Sequence, residues 1–303
     1  MQRLNINITL SPQQQKDREQ LILTLQKDQQ VLAFLEHYHL PLSIVAQRVQ
    51  MFADWLERLE PCDRCVGLHT CVQTKTGYVL DLEPEPFFNL ELKPCRYEQA
   101  YLSKTAHRKN YSVFETSETF LEADIRTITE SNQDLAYLNS IKEIPQWLTT
   151  NPTKGYYFYG LPGSGKTYLA LAIANHFAKQ DKKCAVVHVP TLAAKYSSSY
   201  SDYEQKEVLL NHLRKAFLVV FDDIGAESYT SWFRDEILFP ILNDRMEAHK
   251  LTLFTSNHNV EALQNHFRYN QKADDESVKS GRMMERILTL AKPLNIAGIN
   301  RRK

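Results

Sequence analysis

The sequence predicts an α/β protein, a parallel sheet covered by helices, behind a small helical and cysteine-rich module. Three observations carry that expectation. From about residue 119 onward, short apolar strands alternate with helical segments. One strand-to-helix junction holds a glycine loop, Gly160-Leu161-Pro162-Gly163-Ser164-Gly165-Lys166-Thr167. Four of the five cysteines fall between residues 62 and 95, before the alternation begins.

Ser11-Pro12 is a natural helix start, with proline at the first helical position. Leu21, Leu23, Leu25, Val31, Leu32, Phe34 and Leu35 supply apolar faces, and Pro41 interrupts them. Ile44, Val45, Val49, Phe52, Trp55, Leu56 and Leu59 form a second amphipathic helix, so residues 11–60 read as a small helical bundle. Residues 61–97 change to cysteine, proline, glycine and short alternating runs such as Tyr78-Val79-Leu80-Asp81-Leu82. Residues 98–118 are polar and poor in aliphatics, which reads as a linker. Five strands follow, at 155–159, 185–189, 217–221, 251–255 and about 293–296. The expected division is therefore 1–97, a linker at 98–118, and an α/β domain at 119–303 with a five-stranded parallel sheet.

Lys+Arg and Asp+Glu both number 36, so overall charge offers no argument for nucleic-acid binding. No apolar run approaches the roughly 20 residues that span a bilayer. Met1-Gln2-Arg3-Leu4-Asn5-Ile6-Asn7 lacks a signal-peptide core. A cytoplasmic location with no membrane partner is expected, and clustered cysteines are then metal ligands before they are disulfides.

The loop has the form G-x-x-x-x-G-K-[ST], which cradles phosphates. Its glycines let successive N–H groups point inward, Lys166 reaches the β- and γ-phosphates, and the Thr167 hydroxyl ligates Mg²⁺. An aromatic strand precedes it, and Leu169, Ala172, Ile173, Ala174 and Phe177 follow at helical spacing. A nucleoside triphosphate with Mg²⁺ is the expected ligand, held by Gly160, Gly163, Ser164, Gly165, Lys166, Thr167 and Tyr168.

The strand at 217–221 runs into Asp222-Asp223. Strand ends gather at the ligand crevice of a parallel sheet, so Asp222 falls near the Mg²⁺ and Asp223 is suited to orient the attacking water. The strand at 251–255 ends in Ser256-Asn257. Here the pattern resembles the AAA+ ATPases, in which such an Asn is a sensor of the γ-phosphate. Beyond it, Arg282 and Arg286 share one helix face, where such ATPases carry an arginine that completes a neighbouring subunit's site. Arg286 is favoured. Asp223, Asn257 and Arg286 are thus the expected catalytic residues.

Cys62-x2-Cys65-x5-Cys71-x23-Cys95 has the spacing of a structural zinc site. His69 competes with Cys71 for one position. Such a site would hold together a stretch too poor in apolar residues for a good core. Cys184 begins a strand and reads as core.

Together these features resemble the replicative helicase loaders of the DnaC/DnaI/IstB-like branch of AAA+ ATPases. The residues that carry the resemblance are Gly155 through Thr167, Phe221-Asp222-Asp223-Ile224-Gly225-Ala226-Glu227, Thr255-Ser256-Asn257 and the closing Arg301-Arg302-Lys303. It covers nearly the whole chain, and the cysteine module separates the loaders from IstB-like transposition helpers. The resemblance implies ATP hydrolysis and a Zn²⁺ site in which a histidine replaces one thiolate in some members. Lys75-Thr76-Gly77-Tyr78-Val79 offers none, which favours Cys71. It also implies an N-terminal grip on the hexameric replicative DNA helicase, contact with single-stranded DNA and other primosome proteins, and self-association through the ATPase domain. Lys195, Tyr196, Tyr200 and Tyr203 form a basic-aromatic stretch for the DNA. The segment after residue 296 is short for an AAA+ lid, so a second sensor arginine is expected to be missing.

Overall fold

The computed structural model describes residues 11–84, 88–131, 134–196, 203–227, 230–268, 275–298 and 300. Two compact units emerge, Met1–Ser103 and Lys104–Lys303.

The first unit opens with α1 (Pro12–Leu25), α2 (Gln29–His37), α3 (Ser43–Gln47) and α4 (Val49–Asp63). The sequence suggested two helices and four form, and side chains start the first two. Ser11 and Gln14 cap each other's backbone N–H at the head of α1. Asp28 accepts from the amides of Gln30 and Val31 and so begins α2. A hairpin follows, β1 (Tyr78–Glu83) antiparallel to β2 (Asn89–Pro94), with Leu80 opposite Leu92. Phe34, Phe52 and Trp55 build the core with Leu82. The Trp55 indole N–H donates to Asp81 Oδ1 at 2.8 Å, which ties helix to hairpin without stranding a polar group. Helix α5 (Arg96–Thr105) comes next.

The second unit contains β3 (Tyr111–Phe114), α6 (Ile125–Ser131), α7 (Leu135–Ile141), α8 (Ile144–Leu148), β4 (Gly155–Tyr159), α9 (Lys166–Ala178), β5 (Cys184–His188), α10 (Val189–Lys195) and α11 (Tyr203–Lys215). Then come β6 (Leu218–Asp222), α12 (Ser231–Phe233), a π-helical turn Arg234–Leu238, α13 (Phe239–Glu247), β7 (Leu251–Ser256), α14 (Val260–Arg268), α15 (Ser277–Leu290) and β8 (Ala291–Asn295). The sheet has six strands in the order β3-β5-β6-β7-β4-β8, every pair parallel. The five expected strands are all present, and the sixth corrects the count. It lies inside residues 98–118, so that stretch is not a linker: it holds most of α5 and an edge strand.

Both faces of the sheet are covered. Val186, Val220 and Leu253 face one core with Ile173 of α9, while Val187, Phe221 and Phe254 face the other with Ile237 and Ile287. A slip of one residue in any strand would exchange those two sets, which fixes register. Among the described residues, no helix is long and apolar enough to cross a membrane.

Candidate nucleotide site and cysteine cavity

The phosphate loop bridges β4 and α9. Gly160, Gly163 and Gly165 all have positive φ, and Gly165, at 94°, is the residue from which α9 departs. A side chain there would be strained, so glycine lets the chain turn directly into the helix with its N–H groups pointing outward. Lys166 is buried, and its ammonium donates to Gly160 O (3.0 Å), Leu161 O (2.9 Å) and Asn257 Oδ1 (2.9 Å). The Ser164 hydroxyl is buried with no hydrogen-bond partner. Tyr168 is half-buried, its ring edge-on to Phe120 at 6.4 Å.

The acids arrive from β6. Asp222 Oδ1 accepts from Thr167 Oγ1 at 2.8 Å and from Thr255 Oγ1 at 2.6 Å. Burial pushes its carboxyl above the usual range, against the pull of the two hydroxyl donors. Asp223 turns out of the strand with φ of 57°, a left-handed backbone that a non-glycine residue adopts at a cost of about 1–3 kcal/mol. Its N–H donates to Thr255 Oγ1 at 2.9 Å, and Ile224 N–H to Thr255 O at 2.9 Å. These bonds hold the strained turn against the tip of β7. His188, the last residue of β5, places Nε2 3.9 Å from Asp223 Oδ2.

The loop, Lys166, Thr167, Asp222, Asp223 and Asn257 therefore converge at the C-terminal ends of β4, β6 and β7. Sequence reasoning missed two members. Thr255 stood in the sequence only as part of the family pattern at the end of a strand, with no role of its own, and its hydroxyl links both acids. His188 ends a strand, and only the parallel order of β5 beside β6 reveals its acid neighbour.

The arginines lie elsewhere, on α15. Arg286 Nη1 donates to Glu285 Oε2 at 2.7 Å, and its guanidinium lies 5.0 Å from the Phe239 ring centroid. Arg282 is exposed. Of the basic-aromatic stretch, Tyr196 is buried and cannot stack on a base, and Tyr200 lies outside the described residues. So do Arg301, Arg302 and Lys303.

In the first unit, Cys62, Cys65, Cys71 and Cys95 line one cavity of about 390 Å³, and His69 is not among its lining residues. The Gly77 N–H donates to Cys71 Sγ (3.3 Å) and the Gln73 amide to Cys62 Sγ (3.4 Å). None of the cysteines is in a disulfide. Among the described residues, no three Cys, His, Asp or Glu side chains are close enough to hold a metal ion. The four thiols thus share a cavity without being drawn to ligand distance.

The fold and this site define a P-loop ATP-binding protein of the AAA+ class. Residues 102–303 match the family described as "IstB-like ATP binding protein". The chain is 30% identical to the "Replicative helicase loader DnaI" of Bacillus subtilis (strain 168), over 97% of this chain and 96% of the relative. It thus belongs to the IstB-like ATP-binding family, among its DnaI-type helicase loaders. Two solved structures are similar in shape. "Crystal Structure of the DnaI" is 32% identical with a TM-score of 0.54, covering 65% of this chain and 99% of that one. A "putative primosome component from Streptococcus pyogenes serotype M3" is 25% identical with a TM-score of 0.52, over 65% and 98%.

Proposed function

We propose that this protein is an ATP-dependent loader of the replicative DNA helicase, delivering the hexameric helicase to single-stranded DNA during primosome assembly. The observation that carries the reading is the reach of the DnaI similarity. It spans 97% of the chain, so it includes the first unit, whereas the IstB-like match is confined to residues 102–303. A transposition helper would need only the second unit. The first unit grips the helicase, and the second binds ATP, contacts DNA through phosphates, and meets further copies of itself and other primosome proteins in the cytoplasm.

The residues at the loop fit Mg²⁺-ATP. Ser164 offers an unpartnered buried hydroxyl, the loop N–H groups suit phosphate oxygens, and Thr167 with Asp222 is an oxygen-donor pair of the kind Mg²⁺ takes. Bound there, Mg²⁺ would be held by Thr167 and Asp222 and would supply charge that neutralises the triphosphate. Lys166 exchanges its neutral acceptors for phosphate oxygens, and Asn257, which now holds Lys166, is freed to sense the γ-phosphate. Asp223 orients the attacking water, and His188 beside it limits where its carboxylate swings. An arginine of α15 from a neighbouring copy stabilises the transferred charge. Exposed Arg282 is as well placed for this as Arg286, which its own Glu285 and Phe239 engage.

The cysteine cavity fits zinc by its chemistry. Four thiols line it and two already accept N–H donors, as thiolates in structural sites do. Cys62, Cys65, Cys71 and Cys95 would be the ligands, and zinc would supply fold stability rather than catalysis.

The test is size-exclusion chromatography with light scattering on the protein and its cognate replicative helicase with ATP and Mg²⁺. A co-complex that disappears on deleting residues 1–97 supports the reading. No complex in any nucleotide state rejects it.

A further inference from the structure

Glu227 is buried, its side chain shielded completely, and no step of the proposed hydrolysis uses it. Its surroundings suggest a purpose. Glu227 Oε2 accepts from the Gly225 N–H at 2.7 Å. On the other side of the same residue, His258 Nε2 lies 3.1 Å from Gly225 O. A carbonyl oxygen only accepts, so this bond assigns the proton to Nε2 of His258. Gly225 is thus held by its N–H and its C=O at once. The remaining carboxylate oxygen, Oε1, lies 3.5 Å from His266 Nε2, and the His258 and His266 rings stack at 5.8 Å.

Gly225 is two residues after Asp223, and His258 is one residue after Asn257. The His258 bond therefore joins the turn that carries the water-orienting acid to the tip that carries the sensor, and the Glu227 bond fixes Gly225 within that turn. The packing is close enough to transmit a shift. Gly225 has φ of 92°, and a Cβ there would lie 2.7 Å from Leu263 Cδ1 and 2.8 Å from His258 Cδ2. Ser256 Oγ also ties the two tips, donating to Ile224 O at 2.6 Å, while Tyr157 OH anchors the sensor tip to β4 by donating to His258 O at 2.6 Å.

We infer that Glu227 and His258 are positioning residues for ATP hydrolysis, clamping Gly225 so that Asp223 and Asn257 move as one unit when the γ-phosphate arrives. The inference rests on the ATPase reading above. Without the clamp, Asn257 still meets Lys166 and the loop still binds nucleotide, but the Asp223 turn is held to the sensor tip only through Thr255 and Ser256, upstream of Gly225. Turnover should suffer and affinity should not.

The test compares Glu227→Ala, Glu227→Gln and His258→Ala with wild type and Asn257→Ala. The readouts are steady-state ATP hydrolysis with helicase and single-stranded DNA present, and affinity for a fluorescent ATP analogue. Glu227→Ala and His258→Ala are expected to lower kcat by about tenfold, the size of one hydrogen bond, with affinity within about twofold of wild type. Glu227→Gln keeps an acceptor for the Gly225 N–H and is expected to recover most of kcat. Wild-type kcat in His258→Ala overturns the inference, as does parallel loss of kcat and affinity without rescue by Gln. His258 is only half-buried, so its variant carries the test if Glu227→Ala does not fold. If wild type itself does not turn over, the ATPase reading falls and takes this inference with it. If Asn257→Ala lowers kcat and the clamp variants do not, this inference alone falls.

Discussion

At the scale of single residues, the site works by holding charge under tension. The Lys166 ammonium sits among neutral oxygens until phosphate replaces them. Charge-assisted bonds of this kind are worth about 1.5–3 kcal/mol each. Lys166→Ala should therefore weaken ATP binding by roughly ten- to a hundredfold, read by titration with a fluorescent analogue. Asp222 is the opposite case, an acid whose ionised form burial disfavours. Asp222→Asn keeps an Oδ1 acceptor for Thr167 and Thr255 and removes the buried charge. It should raise the thermal midpoint of nucleotide-free protein by about 2–4 °C, an effect on the order of 1 kcal/mol in a unit this size, and abolish Mg²⁺-dependent hydrolysis. The same lifted carboxyl sets a pH dependence. Protons compete with Mg²⁺ for Asp222, so Mg²⁺-dependent ATP affinity should weaken as pH falls. The loss should begin above the ordinary aspartate value of 3.8. A titration midpoint at or below that value would remove burial as the controlling term. Most of these residues were readable in the sequence, because a phosphate loop needs glycine, lysine and hydroxyl at fixed spacing. Thr255 and His188 were not, because their roles depend on which strand lies beside which.

At the scale of elements, the edge strand β3 is where reading the sequence went wrong, and the reason is physical. Tyr111-Ser112-Val113-Phe114 follows a polar run, so its alternation is short and looks like part of a linker. Its place comes from a distant side chain, Asn175 in the last turn of α9. The Asn175 amide N–H groups donate to Phe120 O (2.8 Å), Leu121 O (3.2 Å) and Ala123 O (2.9 Å). Its Oδ1 accepts from the Tyr111 hydroxyl (2.7 Å) and His107 Nε2 (3.1 Å). Burial holds His107 below its usual pKa, so the ring donates as a neutral imidazole. An asparagine in an apolar helix reads as a tolerated polar residue until these partners appear. Asn175→Leu would strand several buried groups at about 1–3 kcal/mol each. It should cost more than about 3 kcal/mol in urea unfolding and expose the amides of residues 111–114 to rapid hydrogen exchange. A loss under about 1 kcal/mol would mean that strand pairing alone docks β3.

For the whole molecule, the two units rest on different supports. The second has two apolar layers around its sheet, whereas the core of the first is small and its cysteine loop lies outside it. A small unit with few apolar layers gains most from a metal. Metal removal should therefore separate them. Purified protein is expected to carry about one zinc per chain by elemental analysis, since four thiolates complete one tetrahedral site. Chelation should then abolish the helicase co-complex and leave ATP affinity within about twofold, because the phosphate loop belongs to the other unit. The cysteines report on this independently. Cys184 is fully buried and its thiol is pushed up to about 12 by that burial, so it stays inert while the second unit is folded. Chelated protein should thus expose four thiols to a titrating reagent, with the fifth reacting only in denaturant. Four reactive thiols before chelation would mean that the cavity holds no metal, and the first unit would then owe its fold to the Phe34, Phe52 and Trp55 cluster alone.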